Sequence, residues 1–145
     1  MIEVSVLKMN PKAIIPQYMS EGASGCDVSA CLEAAMVVRP NERVMIPTGL
    51  AFQIPKGYEV QVRPRSGLSF KKGLTVVNAP GTIDSDYRGE VKILAINLGA
   101  EKVEIEPGMR VAQLVLQKVE QIKFQEAEKL SSSEREAGGF GSTGH

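Results

Sequence analysis

The seventeen acidic residues of the chain include only three aspartates, Asp27, Asp84 and Asp86, each in a glycine-containing, turn-like stretch. Aspartate in a turn is ordinary, because its short side chain hydrogen-bonds the nearby main chain. Asp84 invites a second reading. Val76-Val77-Asn78 reads as a buried strand entering a Pro80-Gly81 turn, so the residues that follow are presented at a strand end. A carboxylate there can take a proton from water at neutral pH. Residues 78–91 (NAPGTIDSDYRGEV) therefore form the centre of a candidate hydrolytic site, with Asp84 as its base.

A second constellation is Arg63-Pro64-Arg65-Ser66-Gly67, which closes an alternating strand and leads into a short helical turn. A guanidinium, a hydroxyl and exposed backbone amides suit an anion, although an arginine beside a turn is also common at a surface. Near the C-terminus, Gly139-Phe140-Gly141-Ser142-Thr143-Gly144 has the spacing GxGxxG. No strand precedes it and only His145 follows, so the helix that a dinucleotide site requires is missing from the pattern. What survives is a pliant backbone bearing hydroxyls and one aromatic ring, suited to folding over a nucleotide. The sequence contains neither GxxxxGK[ST] nor the HxE with PCxxC of zinc deaminases. Its single histidine is His145, which leaves a histidine triad or a histidine-bound metal hard to build. If a metal takes part, oxygen ligands are what remain, and they point to magnesium that keeps several waters and shares a substrate's phosphates.

The elements that must position these residues are short strands. Turn signals recur at Pro40-Asn41, Pro47-Thr48-Gly49, Pro55-Lys56-Gly57, Pro80-Gly81, Gly99-Ala100 and Pro107-Gly108. Tyr58, Val60 and Val62 alternate with Glu59, Gln61 and Arg63, and Val103 and Ile105 alternate with Lys102, Glu104 and Glu106. That is the period of half-buried strands. Residues 91–98 (VKILAINL) and 111–119 (VAQLVLQKV) are apolar on both faces, which predicts burial on both sides, by the domain or by a subunit contact. Further strands are expected at 2–7, 36–38, 44–48 and 50–54, and a helical turn or two at 66–72. Many short strands with little helix argue for an antiparallel sandwich or jelly roll. At 145 residues, 43% hydrophobic and 23% charged, the chain suits one globular domain. After Phe124 large apolar residues become sparse and glycines gather, so 125–145 cannot build a core of its own. Equal numbers of basic and acidic residues give no overall field to collect a long nucleic acid. Cys26 and Cys31 match no zinc spacing and read as small buried thiols.

Read in order, Ser24-Gly25-Cys26-Asp27-Val28-Ser29-Ala30, Pro64-Arg65-Ser66-Gly67-Leu68, residues 78–91, Gly108-Met109-Arg110-Val111-Ala112-Gln113-Leu114-Val115 and residues 135–144 resemble the five ordered motifs of trimeric dUTPase. The resemblance spans nearly the whole chain. It implies an all-β, jelly-roll-like (β-clip) domain over 1–124, a flexible glycine-rich arm over 125–145 closing on the active site, and a homotrimer with shared active sites. It also implies cleavage of dUTP to dUMP and pyrophosphate with Mg2+. Carried over position by position, Asp84 resembles the base that activates water for attack on the α-phosphorus. Tyr87 is similar to the tyrosine whose ring lies beneath the deoxyribose and leaves no room for a 2′-hydroxyl. Asn78, with the backbone of Gly81, Thr82, Ile83 and Asp84 and with Lys92, resembles the hairpin that reads uracil. Arg65, Ser66 and Gly67 would hold phosphates, Gln113 would hydrogen-bond one, and Asp27 would contact magnesium through water or support the site. In the arm, Arg135 would reach the γ-phosphate, Phe140 would stack on uracil, and Gly141, Ser142 and Thr143 would close over the triphosphate. Glu136 departs from the pattern, standing where the family usually has glycine.

The expected activity limits uracil incorporation into DNA and supplies dUMP for thymidylate synthesis. The alternatives are a dCTP deaminase, or a bifunctional deaminase and dUTPase of the same fold, and a non-catalytic nucleotide-binding regulator. The full IDSDYRGE run with Asn78 favours the hydrolase. Neither nucleic acid nor membrane is an expected partner. With no basic leader ahead of an apolar stretch, a cytoplasmic location is expected.

Overall fold

Strand formation follows the alternation wherever one face has a core to fill. The computed structural model describes residues 1–139, among which eleven strands and one helix form. In chain order they are β1 (Ser5–Lys8), β2 (Cys26–Ser29), β3 (Met36–Val38), β4 (Arg43–Pro47), β5 (Leu50–Gln53), β6 (Tyr58–Arg63), α1 (Ser66–Lys72), β7 (Leu74–Val76), β8 (Gly81–Ile83), β9 (Lys92–Asn97), β10 (Val103–Ile105) and β11 (Arg110–Lys118). All the strand pairs are antiparallel. A four-stranded sheet runs β2-β11-β6-β8 and a three-stranded sheet β4-β9-β7, with the ribbons β1-β5 and β10-β3 completing the jelly-roll-like arrangement.

The core gathers side chains from every sheet: Val28, Val60, Val62, Ile83 and Leu114 from the four-stranded one, Ile46, Leu74, Val76, Ile93 and Ala95 from the three-stranded one. Leu50 and Phe52 join from β5, and Val38, Val103 and Ile105 from the β3-β10 ribbon. Burial of such side chains stabilises by roughly 1.5–3 kcal/mol each before conformational entropy is set against it. Two polar residues enter this core with partners. Thr48 Oγ1 donates to the Val91 carbonyl at 2.6 Å. Asn97 Nδ2 donates to the carbonyls of Val38 and Glu101 at 3.0 and 2.7 Å, and its Oδ1 accepts the Gly99 N–H at 2.8 Å.

Two turn readings are corrected. Asp27 and Gly81 both lie in strands, β2 and β8. Their glycine- and proline-flanked sequences look like turns, yet each is held by a ladder to a strand distant in sequence, β2 on β11 and β8 on β6. The two strands expected to be apolar on both faces differ. In β11, Val111, Ala112, Leu114 and Val115 are all buried. In β9, Ile93, Ala95 and Asn97 are buried while Leu94 and Ile96 remain half-buried, so the single chain fills only one of its faces. Beyond Lys118 the described residues form no further strand or helix.

Candidate active site

Asp84 does stand at a strand end that borders a hollow, but it is the end of β8; the buried strand expected at 76–78 stops at Val76, and Val77 and Asn78 are exposed. After β7 the Val77 N–H donates to the Leu94 carbonyl at 2.9 Å, and the chain turns outward through exposed Asn78 before returning as β8. Gly81, the first residue of β8, sits opposite Val62 of β6. A Cβ there would lie 3.2 Å from both Asn78 Nδ2 and Val62 Cβ, so glycine lets the Asn78 amide lie against the strand without crowding. Ile83 points into the core and Thr82 outward, as the pleat requires. Asp84 follows immediately, exposed, with no ion-pair partner among the described residues.

These residues close around a cavity of about 400 Å³ lined by Asn78, Gly81, Thr82, Ile83, Asp84, Tyr87 and Lys92, with Met45, Val62, Glu90, Val91 and Leu94. That size, with apolar walls and a few convergent polar groups, suits a small molecule. A larger hollow of about 510 Å³ lies between α1 and the β9–β10 turn, but none of the expected site residues line it.

Arg65, Gln113 and Asp27 form a second group. Asp27 on β2 pairs with Gln113 on β11, and its side chain is only 15% exposed. Its Oδ1 accepts from Arg65 Nε at 3.2 Å and its Oδ2 from Arg110 Nη1 at 3.0 Å. Arg65 Nη1 also donates to the Arg110 carbonyl at 3.0 Å, and Gln113 Nε2 to the Pro64 carbonyl at 2.9 Å. The Arg65 guanidinium is thereby fixed just ahead of α1. Ser66 and Gly67 open that helix, whose first internal bonds run from the Leu68 and Ser69 amides to the Arg65 carbonyl. None of these residues line the cavity around Asp84. Beside Asp27, burial pushes the Cys26 thiol's pKa up, a backbone hydrogen bond lowers it, and the Asp27 charge adds a smaller upward push.

Arg135 lies on the exposed C-terminal stretch, its Nε donating to the Gly138 carbonyl at 2.7 Å. Glu136 next to it adopts φ 44°, a left-handed conformation that glycine takes with least strain. Its carboxylate turns back to accept the Ser133 N–H at 2.8 Å, while its own N–H donates to Ser133 Oγ at 3.0 Å. The expected roles of Phe140, Gly141, Ser142 and Thr143 fall outside the described residues.

No group of three or more potential metal ligands occurs among the described residues. Both Asp27 oxygens already serve arginines. The described residues therefore form no all-protein cage for a metal, and any ion here would take most of its ligands from water and a bound phosphate. Sequence reading missed two contributors. Arg110, inside a quoted motif, was given no role, and Glu90 lines the cavity. Both roles depend on contacts across the fold that no local spacing signals.

Comparison with known proteins identifies the family. The dUTPase family model matches residues 11–144. The deoxyuridine 5'-triphosphate nucleotidohydrolase of Bdellovibrio bacteriovorus is 62% identical over 130 residues, covering 90% of this chain and 87% of that protein. The enzyme of the same name from Hydrogenobaculum sp. is 50% identical over 143 residues, covering 99% of both. Among solved structures, Staphylococcus bacteriophage 80alpha dUTPase with dUPNHPP superposes with a TM-score of 0.89 at 27% identity, again over 99% of both chains. A match along almost the entire chain, joined to a cavity walled by residues 78–92, means that this chain belongs to the dUTPase family.

Proposed function

We propose that this dUTPase hydrolyses dUTP to dUMP and pyrophosphate in a site assembled between copies of the chain. One observation carries the reading: the cavity unites Asn78, residues 81–84, Tyr87 and Lys92, whereas Arg65 and Gln113 belong to a separate cluster around Asp27. A nucleoside triphosphate needs a pocket for its base and cations for its phosphates at once. A neighbouring subunit of a homotrimer brings the second set to the first.

In this reading Asn78 and the backbone of residues 81–84, with Lys92, pair uracil's polar edge. Cytosine leaves buried donors and acceptors unmatched, and thymine's methyl group clashes. The Tyr87 ring packs beneath the deoxyribose. Arg65, Ser66, Gly67 and Gln113 bind phosphate oxygens, and the arm of residues 125–145 closes through Arg135, Phe140, Gly141, Ser142 and Thr143, excluding bulk water. The Asp84 carboxylate takes a proton from water as the water oxygen bonds to the α-phosphorus. The bond from that phosphorus to the bridging oxygen breaks, and pyrophosphate departs with the electron pair. Magnesium, when bound with the triphosphate, supplies positive charge against its oxygens, and Asp27 reaches it through water. Lowering dUTP keeps uracil out of DNA and provides dUMP for thymidylate synthesis, in the cytoplasm.

The test is incubation of the purified protein with magnesium and, separately, dUTP, dCTP, dTTP and UTP, followed by product analysis. Pyrophosphate with dUMP from dUTP alone is the expected result. Release of ammonia from dCTP would overturn the simple hydrolase in favour of a deaminase.

A further inference from the structure

Tyr87 stands on the irregular segment between β8 and β9, 46% exposed and lining the cavity, with no sheet ladder to fix its height. Its neighbours hold it instead. The Tyr87 hydroxyl donates to the Glu90 carbonyl at 3.0 Å. Its ring lies directly on Gly89, where an added Cβ would come 2.4 Å from Oη, 2.6 Å from Cζ and 3.0 Å from Cε2. The Tyr87 N–H donates to the Asp84 carbonyl at 3.2 Å, closing the segment on itself. The ring's position is therefore set by where the main chain at 89 and 90 is held.

That main chain is tied to the β4–β5 turn. The Val91 N–H donates to the Leu50 carbonyl at 2.8 Å, and the buried Thr48 hydroxyl donates to the Val91 carbonyl at 2.6 Å. The third tie is the Glu90 side chain. Its Oε1 accepts the Gly49 N–H at 2.9 Å, while Oε2 lies 3.7 Å from Lys92 Nζ inside the same cavity. At 24% exposure the carboxylate is largely withdrawn from water, and its bond to Gly49 is charge-assisted.

We propose that Glu90 is the positioning residue for sugar selection, its carboxylate clamping residue 90 to Gly49 so that the residue 90 carbonyl holds the Tyr87 ring where a 2′-hydroxyl would have to go. The proposal rests on the reading in which Tyr87 packs beneath the deoxyribose. Steric exclusion of one oxygen atom works only against a ring that cannot retreat. If residue 90 comes loose, the Tyr87 hydroxyl loses its fixed acceptor and the ring can drop away from the sugar. Glu90 makes this contribution without touching the reacting atoms, through Tyr87.

The experiment compares kcat/KM for UTP with that for dUTP in wild type, Glu90→Ala, Glu90→Gln, Tyr87→Phe and Tyr87→Ala, with thermal unfolding of each. Glu90→Ala should raise the UTP to dUTP ratio by about tenfold, at the lower end of what one misfitting group costs in a packed pocket. Glu90→Gln keeps an oxygen that can accept the Gly49 N–H, so it should restore a ratio within about threefold of wild type, a rescue that loss of general stability would not give. Tyr87→Phe keeps the ring but loses its tie to residue 90 and should relax the ratio in the same direction. Tyr87→Ala should relax it most, and adding Glu90→Ala to that variant should change nothing further. Selectivity kept in Tyr87→Ala would remove the sugar role of Tyr87, and this proposal with it. Relaxation in Tyr87→Ala with a wild-type ratio in folded Glu90→Ala would overturn the positioning role of Glu90 alone. Should Glu90→Ala fail to fold, Tyr87→Phe decides the matter, because an unchanged ratio there removes the contact on which the proposal depends.

Discussion

Asp84 and Asp27 carry the same functional group in opposite settings. Asp84 is exposed at the end of β8 with no cation paired to it among the described residues, so its oxygens are open to water. Replacing it by asparagine removes the proton acceptor and keeps the shape. Asp84→Asn should bind a non-hydrolysable dUTP analogue with near-normal affinity while kcat falls by about 10² to 10⁴, measurable by titration and single-turnover kinetics. Asp27 is committed to two arginines, and Arg110, with 45% of its side chain exposed, is the more accessible of them. Solvent screening limits such a pair to about 0–1 kcal/mol, so Arg110→Ala should barely move the melting temperature. It should nevertheless raise KM for dUTP several-fold at little change in kcat, because the Asp27 carboxylate would lose the second guanidinium that holds it against Arg65, while the residue 110 carbonyl remains. Cys26 supplies a pH-sensitive check on the same corner. With its pKa raised by burial, it stays protonated at pH 8 and should react with iodoacetamide more slowly than free cysteine; labelling at the free rate would show that this corner opens in solution.

At the scale of elements, β8 shows how a three-residue strand can define a binding wall. Among the described residues it pairs only with β6, through Val60, Gln61 and Val62, and glycine as its first residue leaves Asn78 room to lie against it. Gly81→Ala would press a methyl group on Asn78 Nδ2 and Val62 Cβ. Overpacking of this kind costs about 1–3 kcal/mol where backbone must shift. The Asn78 amide can swing aside, but Val62 Cβ moves only with the β6 backbone. KM for dUTP should therefore rise by about tenfold and the melting temperature should fall measurably, steady-state kinetics and calorimetry giving the two readings. Hydrophobic alternation made β6 and β10 legible, since one face of each fills the core with Val60 and Val62 or with Val103 and Ile105. β2 and β8 were not legible in the same way. Their sequences, Cys-Asp-Val-Ser and Gly-Thr-Ile, carry little strand character, and long-range ladders supply what local propensity lacks.

At the scale of the whole molecule, the proposed sharing of sites predicts complementation. Asp84→Asn chains and Arg65→Ala chains should each be nearly inactive alone. Unfolded together and refolded as mixed trimers, they should regain a measurable fraction of wild-type activity, because some sites would then combine an intact Asp84 with an intact Arg65 from different chains. Absence of any recovery, with mixed trimers demonstrated by mass, would mean that both residues of a site come from one chain. On the open face of β9, Leu94 walls the cavity, and the half-buried Ile96 beyond it is consistent with packing against a further copy. The C-terminal stretch gives a separate test. Truncation after Lys129 removes no strand of the described fold, so the protein should remain folded by circular dichroism yet lose at least about tenfold in kcat/KM, the closing contacts having gone.

The sequence alone determined the chemistry and most of the strands. The Asn78 and IDSDYRGE run, the Arg65-Ser66-Gly67 run proposed to bind phosphate, and apolar alternation in β6 and β10 are local properties, written in residue types and spacings that survive without a fold. Tertiary structure decided which of those residues meet. It put Asn78, Asp84, Tyr87 and Lys92 on one cavity, withheld Arg65 and Gln113 from it, and gave Asp27 to two arginines. It also brought Glu90, which the IDSDYRGE run contains without a role, to Gly49 of the β4–β5 turn. The physical reason is common to all of these: they depend on ladder registers and side-chain reach between segments far apart in the chain, and no local pattern encodes a contact whose partner is set only when the sheets assemble.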